Sequence, residues 1–141
     1  MRPTWDEYFM EIAEVVATRA VCLRRHVGAV IVKKNNAILS TGYNGVPAGV
    51  KHCDSCIRKE RDIPSGERQE LCRALHAEQN ALLFAENRQA LEGATIYVTF
   101  HPCTTCDKMI HVAGIRRVVT FYGHGCGRLL THYYLGGMLG L

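Results

Sequence analysis

Thr4 and Glu7 open a stretch in which Phe9, Ile12, Ala13, Val16 and Ala20 recur at helical spacing. This predicts an amphipathic helix over residues 4–20 that begins with a capping box. Val27 to Val32 is a short β-branched run containing Gly28 and Ala29, the pattern of a buried strand. Lys33-Lys34-Asn35-Asn36 is a turn, and so short a connection makes residues 37–41 a second strand antiparallel to the first. Gly42-Tyr43-Asn44-Gly45 breaks the pattern. Residues 46–73 have no period and carry Pro47, Pro64, Cys53, Cys56, Cys72 and many charges. A compact domain holds so long an irregular stretch where it is functional or clamped. Periodicity resumes as a helix over 75–87, with Leu75, Leu82, Leu83 and Ala85 on its apolar side. A strand over 94–100, a helix over 103–113 ended by Gly114, and a strand over 116–122 follow. The Gly-rich tail, 123–141, has no assignable period. The order ββαβαβ behind an N-terminal helix predicts one layered α/β domain over 1–141, with 46–73 as a Cys-rich insertion.

Composition narrows the classes. With 48% hydrophobic and 21% charged residues in 141, the chain has the balance of a globular domain able to bury a core. No apolar run approaches the roughly 20 residues that span a bilayer. The polar, acidic start, Met1 to Glu11, does not resemble a secretory signal. A cytoplasmic protein is therefore expected. The net charge of +4 suits an anionic substrate but is too small and too scattered for a nucleic-acid footprint. Seven cysteines in a reducing compartment read as metal ligands rather than disulfides.

Two segments carry candidate chemistry: His76-Ala77-Glu78 and Pro102-Cys103-Thr104-Thr105-Cys106, each at the start of an expected helix. Cys103 and Cys106, three apart, share a helix face, and a helix N-terminus favours thiolates. One imidazole and two thiolates make three zinc ligands and leave a fourth position for water, as in a catalytic site. Glu78 then stands beside the metal as proton carrier. A lone C-x2-C also suits a structural knuckle, and a lone His a helix cap. The order H-x-E…P-C-x-x-C, with a strand between and Pro102 before the first Cys, favours nucleobase deamination.

At these residues the chain resembles the cytidine and deoxycytidylate deaminase family, nearest to deoxycytidylate (dCMP) deaminases of the bacterial competence type and of phages. The likeness runs from Trp5 to about Tyr122, through Val27 to Val32, Thr41 to Gly49 and Cys72 to Ala81. It implies a three-layer α/β/α sandwich around a central mixed sheet, and zinc-dependent deamination of dCMP to dUMP. It also implies that Asn44 hydrogen-bonds the nucleotide and that the Ala77 backbone N–H lies near the base carbonyl. A plain turn needing Gly is the simpler reading of 42–45. A homo-oligomer, hexameric in many members, is implied as well, and regulation by dCTP and dTTP is left open.

Cys22, Cys53, Cys56 and Cys72 remain, around the segment that needs a clamp. Four thiolates are enough for a closed structural zinc. Some phage and bacterial members of the family resemble this arrangement. His52 replacing one thiolate, or four buried free thiols, are the alternatives; Cys126 is expected to be free. Two other functions compete. A tRNA adenosine deaminase shares the motif but needs a broader basic surface. A non-catalytic zinc-binding module linked to DNA uptake has no use for Glu78. Arg24, Arg25, Lys51 and Arg73 are candidates to grip a nucleotide phosphate, and spacing selects none. After Tyr122 the chain departs from the acidic, helix-forming continuation usual in the family.

Overall fold

The computed structural model describes residues 1–122 and 129–135. Helix α1 (Trp5–Ala17) leads into strands β1 (Gly28–Val32) and β2 (Ile38–Tyr43). A one-turn helix α2 (Ile57–Glu60) interrupts the irregular segment, and α3 (Ala77–Leu83), β3 (Thr95–Val98), α4 (Thr104–Val112), β4 (Arg117–Tyr122) and β5 (Leu129–Tyr134) follow. The sheet order is β2-β1-β3-β4-β5, with β3 and β4 parallel and the other neighbours antiparallel. The expected mixed sheet and layering are present.

Alternation along the strands makes the three layers. Every residue of β1 is buried, because both faces of the sheet are covered. Ala29 and Ile31 join Ile96, Val98 and Val118 in a core shared with Ala77, Ala81, Cys106 and Ile110 of α3 and α4. Val30 and Val32 point the other way and pack with Tyr97 and Val119 against Phe9, Met10 and Ala13 of α1.

The capping box of α1 is formed: Thr4 N–H donates to Glu7 Oε2 at 2.9 Å, and Glu7 N–H to Thr4 Oγ1 at 3.2 Å. The helix ends at Ala17 rather than 20, in tight turns in which Arg19 and Ala20 bond back to Val16 and Ala17. Asp6 fastens its start to the sheet, accepting from Arg117 Nη1 at 2.9 Å, Arg117 Nη2 at 2.6 Å and Tyr97 Oη at 2.9 Å.

Two further expectations need correction. Gly42 and Tyr43 belong to β2 and do not end it. A Cβ on Gly42 would run into Ala77 O and Ala81 N, so the missing side chain serves a close helix–strand approach rather than a turn. Helix α3 is seven residues long and buries Ala77, Glu78 and Ala81, while Leu83 is exposed. Contact this close admits small residues, so Leu82 packs against the core only half-buried and Leu83 faces outward. The tail contributes β5, whose aromatic residues 133 and 134 suit a strand. The remaining tail positions, including Cys126, lie outside the described residues. No helix among the described residues is long and apolar enough to cross a membrane.

Candidate active site

The N-termini of α3 and α4 meet at one end of the sheet. His76 is the N-cap of α3 and Cys103 the N-cap of α4, so both side chains leave extended backbone just outside their helices. Gln79 fixes the entry to α3 by accepting from His76 N–H at 2.8 Å. Upstream, Leu75 and Gly45 exchange backbone hydrogen bonds of 2.9 and 3.2 Å, tying the approach to the Asn44 loop. Cys103 is thus a cap, not a member of the helical face, and its sulfur accepts from Cys106 N–H at 3.5 Å.

His76 Nδ1 stands 3.3 Å from Cys106 Sγ and 3.6 Å from Cys103 Sγ. A tetrahedral zinc with bonds of about 2.0 Å to nitrogen and 2.3 Å to sulfur sets N–S edges of about 3.5 Å. The donor set and its spacing therefore suit zinc. Among the described residues this is the group of three whose ligand atoms all lie within 4.8 Å of one another. Burial lowers the pKa of His76, helped by the Arg58 charge, and so keeps a neutral imidazole able to ligate. Cys106 is held up by burial and by Glu78 and Cys103 in the metal-free chain; a bound cation reverses that balance. Glu78 is 4% exposed. Burial raises its pKa, opposed by its own backbone amide and Cys106.

His76, Cys103 and Glu78 line a cavity of about 400 Å³, with Cys106 buried behind them. That is room for a small ligand. Asn44 and Ala77 line it as well. The Asn44 side chain is partly committed: its Oδ1 accepts from Val27 N–H and its Nδ2 donates to Arg25 O, both at 2.8 Å. One N–H and one lone pair remain for a ligand. Ala77 opens α3, so its N–H has no intrahelical acceptor.

Of the expected phosphate candidates, Arg24 and Arg25 line the cavity. Lys51 is exposed and paired with Asp54 at 2.9 Å, and Arg73 reaches Cys53 Sγ at 3.4 Å. The liners that sequence reasoning missed include Arg58 of α2, Phe100 and His101. No motif marks Arg58 beyond its place two residues after Cys56. It also missed Tyr133 of β5, which donates to Asp107 at 2.7 Å and so braces the first turn of α4.

Cys22, Cys53, Cys56 and Cys72 all line a second, small cavity of about 30 Å³ together with His52. Cys22 and Cys72 also line the large one, so they form part of the wall between the two. All four are free thiols, and their sulfurs do not reach the mutual spacing of the His76 group.

Three soft and borderline donors beside a buried carboxylate have the chemistry of a candidate zinc centre, set here in an α/β/α sandwich. The chain belongs to the cytidine and deoxycytidylate deaminase family, whose zinc-binding region matches residues 3–122. It is 47% identical over 125 residues to the deoxycytidylate deaminase of Mycobacterium phage D29, covering 84% of this chain and 94% of that one. It is 42% identical over 120 residues to that of Schizosaccharomyces pombe, covering 84% of this chain but 37% of the longer yeast protein. Its fold is similar to dCMP deaminase from the cyanophage S-TIM5 in complex with dCMP and dUMP. That match has a TM-score of 0.68 and 35% identity, and covers 85% of this chain and 82% of that one.

Proposed function

We propose that this protein is a zinc-dependent hydrolase that converts dCMP and water to dUMP and ammonia. The observation that carries the reading is a buried carboxylate, Glu78, that lines one ligand-sized cavity together with His76 and Cys103 of the His76–Cys103–Cys106 group. The likeness to three proteins named as dCMP deaminases gives the substrate.

His76, Cys103 and Cys106 hold the catalytic zinc. When bound, zinc supplies Lewis acidity that makes water nucleophilic near neutral pH. Glu78 takes a proton from the attacking water at a carboxylate oxygen and passes it to N3 of the pyrimidine. The C4–O bond forms, and Glu78 then carries the second proton to the exocyclic amine as the C4–N bond breaks. One water proton ends on N3, the other on ammonia, and the carboxylate is restored. Burial suits Glu78 to this, since it brings the pKa of the carboxyl closer to neutral working pH. The Ala77 N–H faces the base carbonyl, and Asn44 uses its remaining donor or acceptor on the nucleotide.

A second, structural zinc on Cys22, Cys53, Cys56 and Cys72 clamps residues 46–73. The shared cavity and the thiol-rich donor set support it, with His52 the alternative ligand. Thiol-based sites of this kind suit the cytoplasm. The working form is a homo-oligomer, hexameric by resemblance. The exposed Leu83, Phe84 and Val112, beside an apolar groove between α3 and α4, support such burial.

The reading is tested with Glu78→Gln in the zinc-loaded protein. Retained zinc and fold with turnover lost is the expected outcome; unchanged turnover overturns the assignment of the proton carrier.

A further inference from the structure

Strand β5 closes the sheet edge beside β4, yet one of its side chains reaches the turn that carries the thiols. Tyr133 is paired with Val118, and alternation places both on the sheet face that α3 and α4 cover. There the Tyr133 hydroxyl donates to Asp107 Oδ1 at 2.7 Å. Its ring stands 5.8 Å from the His101 ring, centroid to centroid. His101 lies two residues before Cys103, and Asp107 directly after Cys106. The half-buried tyrosine therefore meets the chain on both sides of the two thiols. Burial and the Asp107 bond raise the Tyr133 pKa, so the phenol stays protonated and donates. No ion pair among the described residues uses Asp107.

We infer that Tyr133 is a positioning residue for the catalytic metal: from the tail strand it fixes the turn that presents Cys103 and Cys106 opposite His76. This rests on the zinc reading of that group and on the proposed deamination. Cys103 Sγ accepts from Cys106 N–H, and Asp107 N–H donates to Cys103 O at 2.9 Å, so residues 103–107 close into one turn. Holding Asp107 holds both sulfurs. His76 belongs to another helix start, so the three donors meet on one ion only while the two starts keep their separation. Helix α3 is fastened to β2, where Ser40 Oγ donates to Ala81 O at 2.7 Å and Asn80 Nδ2 to Tyr43 O at 2.8 Å. Helix α4 is fastened by Tyr133 to β5. These strands are the two edges of the sheet, so the sheet itself sets the gap between imidazole and thiolates.

Tyr133→Phe keeps the ring and removes the donor. In buffers of graded free zinc, one ion per chain leaves this variant at about tenfold higher free zinc than wild type, the low end for loss of a group that orients metal ligands. In the zinc-loaded protein kcat for dCMP falls about tenfold, while KM stays within about twofold. Asp107→Ala reproduces both losses and replaces Tyr133→Phe if that protein does not fold. Asp107→Asn keeps an acceptor for the hydroxyl and loses less than Asp107→Ala in both measurements. Joining Tyr133→Phe to Asp107→Ala adds no further loss, because the two act through one bond. A lower melting temperature with zinc retention and kcat unchanged makes the tyrosine a brace of the fold alone and overturns the positioning role. Losses that add in the double variant overturn it as well. A wild type that deaminates no cytosine nucleotide, yet holds its zinc through Tyr133 in this way, leaves the positioning role standing and overturns the proposed reaction. A wild type that deaminates dCMP, with Tyr133→Phe indistinguishable from it, does the reverse. A wild type that binds no zinc overturns both.

Discussion

Gly42→Ala is a one-carbon change at a strand position that touches no substrate, and it tests how the fold holds the site. The added Cβ would meet Ala77 O and Ala81 N and would stand 3.0 Å from Ala81 Cα. Carbon atoms in good contact stand about 3.5–4.0 Å apart, so α3 must retreat by about 0.5–1 Å. Such overpacking costs about 1–3 kcal/mol. The retreating helix carries His76 and Glu78 at its N-terminus, while Cys103 and Cys106 ride on α4. A misplacement of about 1 Å costs roughly 100-fold in rate. Gly42→Ala is therefore expected to lose about 1–3 kcal/mol in urea unfolding and up to about 100-fold in kcat for dCMP. Gly45→Ala is the control: a Cβ there meets nothing within 4 Å. Its stability should stay within about 0.5 kcal/mol of wild type. A Gly42→Ala protein as stable and as active as the Gly45→Ala control refutes the argument that backbone contact at β2 sets the position of the catalytic helix.

Glu78→Gln should lower kcat by about 100- to 10,000-fold without releasing zinc, read by ammonia release and metal analysis of the same sample. Asp6→Asn removes the charge that Arg117 and Tyr97 contact and should cost about 1.5 kcal/mol in denaturant unfolding, the low end for charged hydrogen bonds because the pair is partly exposed. Arg117 holds Asp6 below its ordinary 3.8, so this stabilisation is complete above that value and is lost as the pH falls through the lowered folded value. The gap between wild type and Asp6→Asn should then narrow below about pH 4, and a gap that widens there contradicts the sign. Metal analysis of the purified wild type should find two zinc ions per chain, and Cys53→Ser one; a single zinc in both removes the structural site.

Much of this was legible where one physical cause acts locally. The Thr4–Glu7 capping box, the buried β1 run and the turn after it each declare themselves within a few residues, and the structure forms all three. The clustering of His76, Cys103 and Cys106 was legible because its spacing is chemical: a helix start puts His76 and Glu78, or Cys103 and Cys106, near one point. What escaped depends on distant partners. Gly42 reads as a breaker until α3 is laid across it. Leu82 does pack against the core, but Leu83, which reads as part of the same buried side, is exposed, because sequence does not reveal how closely the helix approaches the sheet. Arg58 carries no motif, and its meaning comes from sharing a cavity wall with Arg24 and Arg25, more than thirty residues earlier in the chain. Strand β5 hid in a Gly-rich tail because glycines on either side mask a six-residue run.

The most direct test of the central claim is ammonia release by the zinc-loaded protein, measured side by side on dCMP, CMP, deoxycytidine and an adenosine-bearing tRNA stem-loop. Turnover of dCMP well above deoxycytidine and the RNA is the predicted result. Turnover of the RNA alone, or of none of the four with zinc bound, contradicts it.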